Sequence, residues 1–116
     1  LGRKYKEQTT ADELLSDIQA AIAFLKTKPN VSSTGFASIG FCFGGHVAYL
    51  ASTLPEIKAT ASFYGAGIAT LTPGGGAPTI TRTPEINGSL YAFFGLQDPL
   101  IPNEQADQVE AALKQH

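Results

Sequence analysis

Three glycines crowd one cysteine in Gly40-Phe41-Cys42-Phe43-Gly44-Gly45, and this hexapeptide constrains the fold more than any other feature of the chain. The segment before it, Gly35-Phe36-Ala37-Ser38-Ile39-Gly40, is short and largely apolar and reads as a buried strand. The segment after it carries Val47, Leu50, Ala51 and Leu54 at helical spacing, from Gly44 to about Leu54, and Pro55 ends it. A strand must therefore become a helix almost at once. Such a turn holds the residue at its apex in a strained backbone and lifts that side chain above the sheet. Side chains two positions before and after the apex would collide, so glycine is expected at both 40 and 44. Gly45 then lets the helix approach the strand closely.

The rest of the chain repeats the alternation. Thr10-Ala11-Asp12-Glu13 has the spacing of a capping box. Leu14, Leu15, Ile18, Ile22 and Leu25 continue it as a helical stripe that Pro29 stops. Leu1–Thr9 is a polar, basic lead-in to this helix. Lys58–Tyr64 reads as a second strand, and Ser89–Phe94, between Gly88 and Gly95, as a third. A long linker from Gly65 to Asn87 has neither a helical nor a strand period, and linkers of this length tend to be functional or mobile. A last helix is expected from about Asn103, with Ala106, Val109, Ala112 and Leu113 facing inwards. The order helix, strand, helix, strand, strand, helix predicts the α/β class. It calls for a mostly parallel sheet of about three strands flanked by helices, covered on both faces.

Composition excludes several functions. A net charge of −2 and the lack of any basic cluster give no footprint for nucleic acid. No apolar run approaches the roughly 20 residues that span a bilayer, and no signal peptide opens the chain. The single cysteine forbids an internal disulfide and fits a cytoplasmic protein. No cluster of His, Cys and carboxylates has metal-ligand spacing, so neither a metal nor another cofactor is expected. The chain has 116 residues, starts at Leu1 and contains no methionine, which marks it as an expected fragment.

The turn itself implies chemistry. The helix that follows Cys42 points its positive end at the thiol and favours the thiolate. The backbone N–H of Phe43 is set as an oxyanion-hole donor. A cysteine nucleophile needs a base, and the base needs an orienting acid. Asp98, in Gly95-Leu96-Gln97-Asp98-Pro99, follows the third strand at the carboxyl end where ligands collect in such sheets. Asp98 also suits a turn before proline. Neither of the two histidines is the expected base. His46 lies on the first turn of a helix leading away from the site and reads as a packing or capping residue. His116 ends the final helix. The catalytic histidine is expected beyond residue 116, on a loop after one further strand.

Three stretches carry a resemblance. Gly40–Ala48, Ser62-Phe63-Tyr64-Gly65-Ala66-Gly67 and Gly95–Pro102 are similar to the dienelactone hydrolases (carboxymethylenebutenolidases), a family of the α/β-hydrolase fold with a Cys-Asp-His triad. The resemblance implies a partial α/β-hydrolase domain over residues 1–116, lacking the early strands and the final strand and helix. It implies Cys42 as nucleophile, Asp98 as triad acid and Tyr64 near the substrate, a strand-end position that packing explains equally well. It implies hydrolysis of small-molecule esters or lactones, dienelactone to maleylacetate, through a thioester. The family's second oxyanion donor, its glutamate beside the cysteine and its substrate-binding arginine would come from early strands, and Arg3 is not assigned that last role. Two other readings stay open: a general esterase or peptidase on the same fold, and a non-catalytic fragment with an inert buried cysteine. The isolated chain is expected to be inactive, and its oligomeric state is not legible.

Overall fold

The computed structural model describes all 116 residues. Helix α1 spans Gly2–Glu7, α2 Ala11–Lys26, strand β1 Phe36–Phe41, α3 Phe43–Ala51 and β2 Ile57–Phe63. A 3-10 helix covers Thr79–Glu85 and is followed by β3 (Ser89–Phe93) and α4 (Asn103–Lys114). The predicted strands and long helices are all present. The capping box forms as expected: Thr10 Oγ1 accepts from the Glu13 N–H at 3.2 Å, and Glu13 Oε2 accepts from the Thr10 N–H at 3.2 Å. Two segments differ from expectation. The lead-in is a short helix, and the linker contains the 3-10 turn.

The three strands are parallel in the order β1-β2-β3. Only one face of this sheet is covered, not both. Crossovers between parallel strands are right-handed. A strand order that advances in one direction therefore sends every connection across the same face. Leu15 and Ile22 of α2 join Leu50, Leu54 and Ile57 in one buried cluster on that face. Tyr49, Ile68 and Val109 form a second, against Leu90, Ala92 and Phe94. Helix α3 is thus buried nearly all round: Ala48, Tyr49, Leu50 and Ala51 are all inaccessible.

Hydroxyls line the strands beneath α3. Ser38 Oγ lies 2.8 Å from Thr60 Oγ1, and Ser62 Oγ donates to the Gly45 carbonyl at 2.7 Å. These small polar residues seat the helix close to the sheet while each polar atom keeps a partner. The opposite face is bare. Ile39, Phe41, Tyr91 and Phe93 are exposed there, and the rings of Phe41, Phe63 and Phe93 stack at centroid spacings of 4.9 and 4.5 Å. No helix is long and apolar enough to cross a membrane.

Candidate active site

Register places the site. Phe41, Phe63 and Phe93 are abreast in the sheet, so the next residues on each strand leave at the same carboxyl-terminal level. Cys42 leaves β1, Tyr64 leaves β2, and the loop carrying Asp98 leaves β3. The Cys42 N–H donates to the Phe63 carbonyl at 3.0 Å, and the Tyr64 N–H to the Phe93 carbonyl at 2.8 Å. The last rung of the ladder thereby anchors both residues.

Cys42 has φ 59° and ψ −124°, a left-handed-side conformation costly for any residue with a Cβ. Its thiol is exposed. A buried packing cysteine, one reading of the sequence, does not match this placement. The Gly45 and His46 N–H groups both turn back to the Cys42 carbonyl, at 2.9 and 3.3 Å. Phe43 is the first residue of α3, where an N–H has no partner within the helix.

The glycines divide the steric work unequally. A Cβ on Gly40 would lie 1.9 Å from the Gly44 carbonyl oxygen, and one on Gly45 would lie 2.4 Å from that of Phe63. A Cβ on Gly44 meets open space. The expectation that 40 and 44 both require glycine therefore holds at 40 alone. The crowding is between Gly40 and the peptide of residue 44, and the Gly44 side-chain position points away from it.

Tyr64 also has a positive φ, 39°, and its side chain is exposed with its ring 6.2 Å from that of Phe41. Asp98 is half-buried. Its Oδ1 accepts the Leu100 N–H at 2.9 Å, and its backbone N–H donates to the Gly95 carbonyl at 3.2 Å. The carboxylate thus shapes its own turn with one oxygen.

Neither histidine approaches the thiol as a base. His46 is 1 % exposed, and both ring nitrogens are engaged: Nδ1 lies 2.8 Å from the Ala66 carbonyl oxygen and Nε2 2.7 Å from Thr79 Oγ1. Burial pushes its pKa below the ordinary value, only partly opposed by the bond to Ala66. His116 borders a small hollow with Gly88 and Leu90, at the amino-terminal end of β3. That is the end of the sheet opposite Cys42.

Beside the turn lies a cavity of about 550 Å³. Phe43, His46, Leu100, Gln105 and Lys6 line it together with Ala66–Gly67 and Thr70–Gly74; Cys42 itself is not part of the lining. Lys6 Nζ stands 5.4 Å from the Phe43 ring centroid. Sequence reasoning marked the Gly65–Asn87 linker as one of functional or mobile length but gave it no place beside the turn, and it missed the helix that carries Lys6. Helix α1 has no buried residue to announce it, and the β2–β3 connection has no periodicity. No three His, Cys, Asp or Glu side chains converge at metal-holding distances.

Comparison with known proteins follows the same lines. The family model described as the dienelactone hydrolase family matches residues 1–116. A protein of Synechocystis sp., provisionally named carboxymethylenebutenolidase, is 53 % identical over 115 residues, which is 99 % of this chain and 47 % of that protein. One from Bradyrhizobium sp., provisionally named 2-oxo-3-(5-oxofuran-2-ylidene)propanoate lactonase, is 25 % identical over 105 residues, 90 % of this chain and 42 % of its own. A crystal structure from Klebsiella pneumoniae, provisionally described as a dienelactone hydrolase, superposes with a TM-score of 0.82 at 18 % identity. It covers 93 % of this chain and 45 % of its own. That likeness establishes the α/β-hydrolase fold. The chain spans about half the length of the curated relatives it matches.

Proposed function

This chain belongs to the dienelactone hydrolase family, and from that premise we propose that the protein is a cysteine-dependent hydrolase of small esters or lactones. Dienelactone, opened to maleylacetate, is the type substrate. The observation that carries this reading is Cys42 itself: an exposed thiol at positive φ, at the junction of a strand and the amino terminus of a helix. A backbone so costly is kept where it presents a reacting side chain.

The chemistry follows from the positions. The Cys42 thiolate attacks the carbonyl carbon, and the electron pair of the C=O moves to its oxygen. The Phe43 N–H donates to that oxyanion. Collapse breaks the C–O bond, releases the enol oxygen (tethered, in a lactone) and leaves a thioester on Cys42. Water then attacks the thioester and returns the thiol and the carboxylic acid. Asp98 orients the histidine that moves these protons, with the carboxylate oxygen its own turn does not use. Sequence outside these 116 residues supplies that histidine, because His46 is buried with both nitrogens spent and His116 lies at the far end of the sheet. Tyr64 borders the substrate at the end of β2.

Cys42→Ala in the full-length protein tests the reading. We expect hydrolysis of dienelactone and p-nitrophenyl acetate to fall at least about ten-thousandfold, as when a nucleophile is removed from a triad. Unchanged turnover would sink the proposal.

A further inference from the structure

The connection between β2 and β3 holds a buried polar pairing that the reaction scheme leaves unused. His46 and Tyr49 stand one turn apart on the same side of α3. Both aim at this connection. His46 reaches the Ala66 carbonyl and the Thr79 hydroxyl, and Thr79 Oγ1 in turn donates to Thr72 Oγ1 at 2.9 Å. Tyr49 Oη lies 2.6 Å from Thr83 Oγ1. His46, Tyr49, Thr79 and Thr83 are all 0–1 % exposed. A carbonyl can only accept, so Nδ1 carries the proton toward Ala66.

The segment held in this way is the wall of the cavity beside Cys42. Ala66 begins that wall and Thr72 lies within it, while Phe43, the oxyanion donor, sits three residues before His46 on the same helix. Backbone bonds from Thr79 to Leu71 (3.0 Å) and from Ile80 to Ile68 (2.9 Å) tie the segment to itself. The His46 ring ties it to α3. The imidazole is the tie nearest Phe43, while the Ala11 N–H to Pro73 carbonyl bond (2.8 Å) holds the far end of the segment to α2.

We propose that His46 is a positioning residue for substrate binding: through Ala66 and Thr79 it sets the segment Ala66–Gly74 at a fixed distance from the Phe43 N–H, as one wall of the substrate pocket. This inference rests on the reading of Cys42 as the nucleophile.

The test uses the full-length protein and dienelactone. Thr79→Val removes the partner of Nε2 and leaves it unpaired in the interior. It is expected to raise KM about tenfold, the effect of one unsatisfied buried polar group, while kcat changes less than about threefold. Thr79→Ser keeps the hydroxyl and is expected to restore KM. His46→Asn, which keeps a donor for Ala66 alone, is expected to raise KM as Thr79→Val does; the Thr79 pair decides the matter should that variant not fold. The rate of Cys42 alkylation by iodoacetamide is expected to match wild type in the Thr79 variants. A Thr79→Val protein with a lowered Tm but unchanged KM would overturn the inference, since the pairing would then only stabilise the fold. If Cys42→Ala retains turnover, the underlying reading fails first, and the two failures are told apart by that control.

Discussion

Cys42 and His46 stand about one helical turn apart and meet opposite environments. The thiol is exposed at the sheet's carboxyl end, whereas the imidazole is sealed between α3 and the β2–β3 connection. Cys42 was legible because its conformation is a local matter, written in the glycines beside it. His46 was readable as a packing residue but not as a tie, because its partners lie 20 and 33 residues along the chain. Its burial has a consequence for stability. The unfolded ring takes up a proton near pH 6.5, and the folded ring only at lower pH. The unfolded state therefore binds more protons below about pH 6.5, and stability falls with pH from there until the folded pKa is reached. Glu85, held below its ordinary value by Arg82, loses its contribution only at more acid pH. Urea midpoints for wild type are expected to decline between about pH 7 and pH 5.5, and His46→Asn to flatten that slope. A wild-type midpoint constant over this range would contradict the buried neutral ring.

At the scale of elements, the strand–turn–helix unit shows how little of a motif's sequence is sterically required. Gly40 is pinned by the peptide of residue 44, and Gly45 by the carbonyl of Phe63, while Gly44 has room for a side chain. Gly40→Ala is therefore expected to prevent folding or lower stability by several kcal/mol, since backbone cannot yield by that distance. Gly44→Ala is expected to be neutral or to stabilise by up to about 1 kcal/mol, because alanine favours the helix. Thermal unfolding of the two variants checks the contrast, and equal losses would refute it. The two elements missed by sequence have physical reasons to be quiet. Helix α1 buries nothing, so it needs no apolar stripe. The 3-10 helix is built on threonines whose hydroxyls bond locally, Thr81 to the Pro78 carbonyl and Thr83 to that of Ile80, both at 2.6 Å. That chemistry has no 3.6-residue period.

In the whole molecule, one sheet face is packed and the other bare. A stacked row of Phe41, Phe63 and Phe93 with exposed Ile39 and Tyr91 is more apolar surface than a monomer usually shows. Residues 1–116 expressed alone are expected to bind the dye ANS and to self-associate, as followed by fluorescence and light scattering. Phe63→Ser with Phe93→Ser is expected to reduce both. A monodisperse, dye-free monomer would show that this face needs no cover.

The three strands, the three longer helices, the elbow at Cys42 and the family were legible in the sequence alone, because propensity and steric exclusion at glycine act over a few residues. Tertiary structure alone decided which face of the sheet is covered, since that depends on strand order and crossover hand. It alone joined His46, already readable as a packing residue, to Ala66 and Thr79 beside the neighbouring cavity. A side chain's partners are set by what the fold brings beside it, and those groups come from parts of the chain that no local pattern connects.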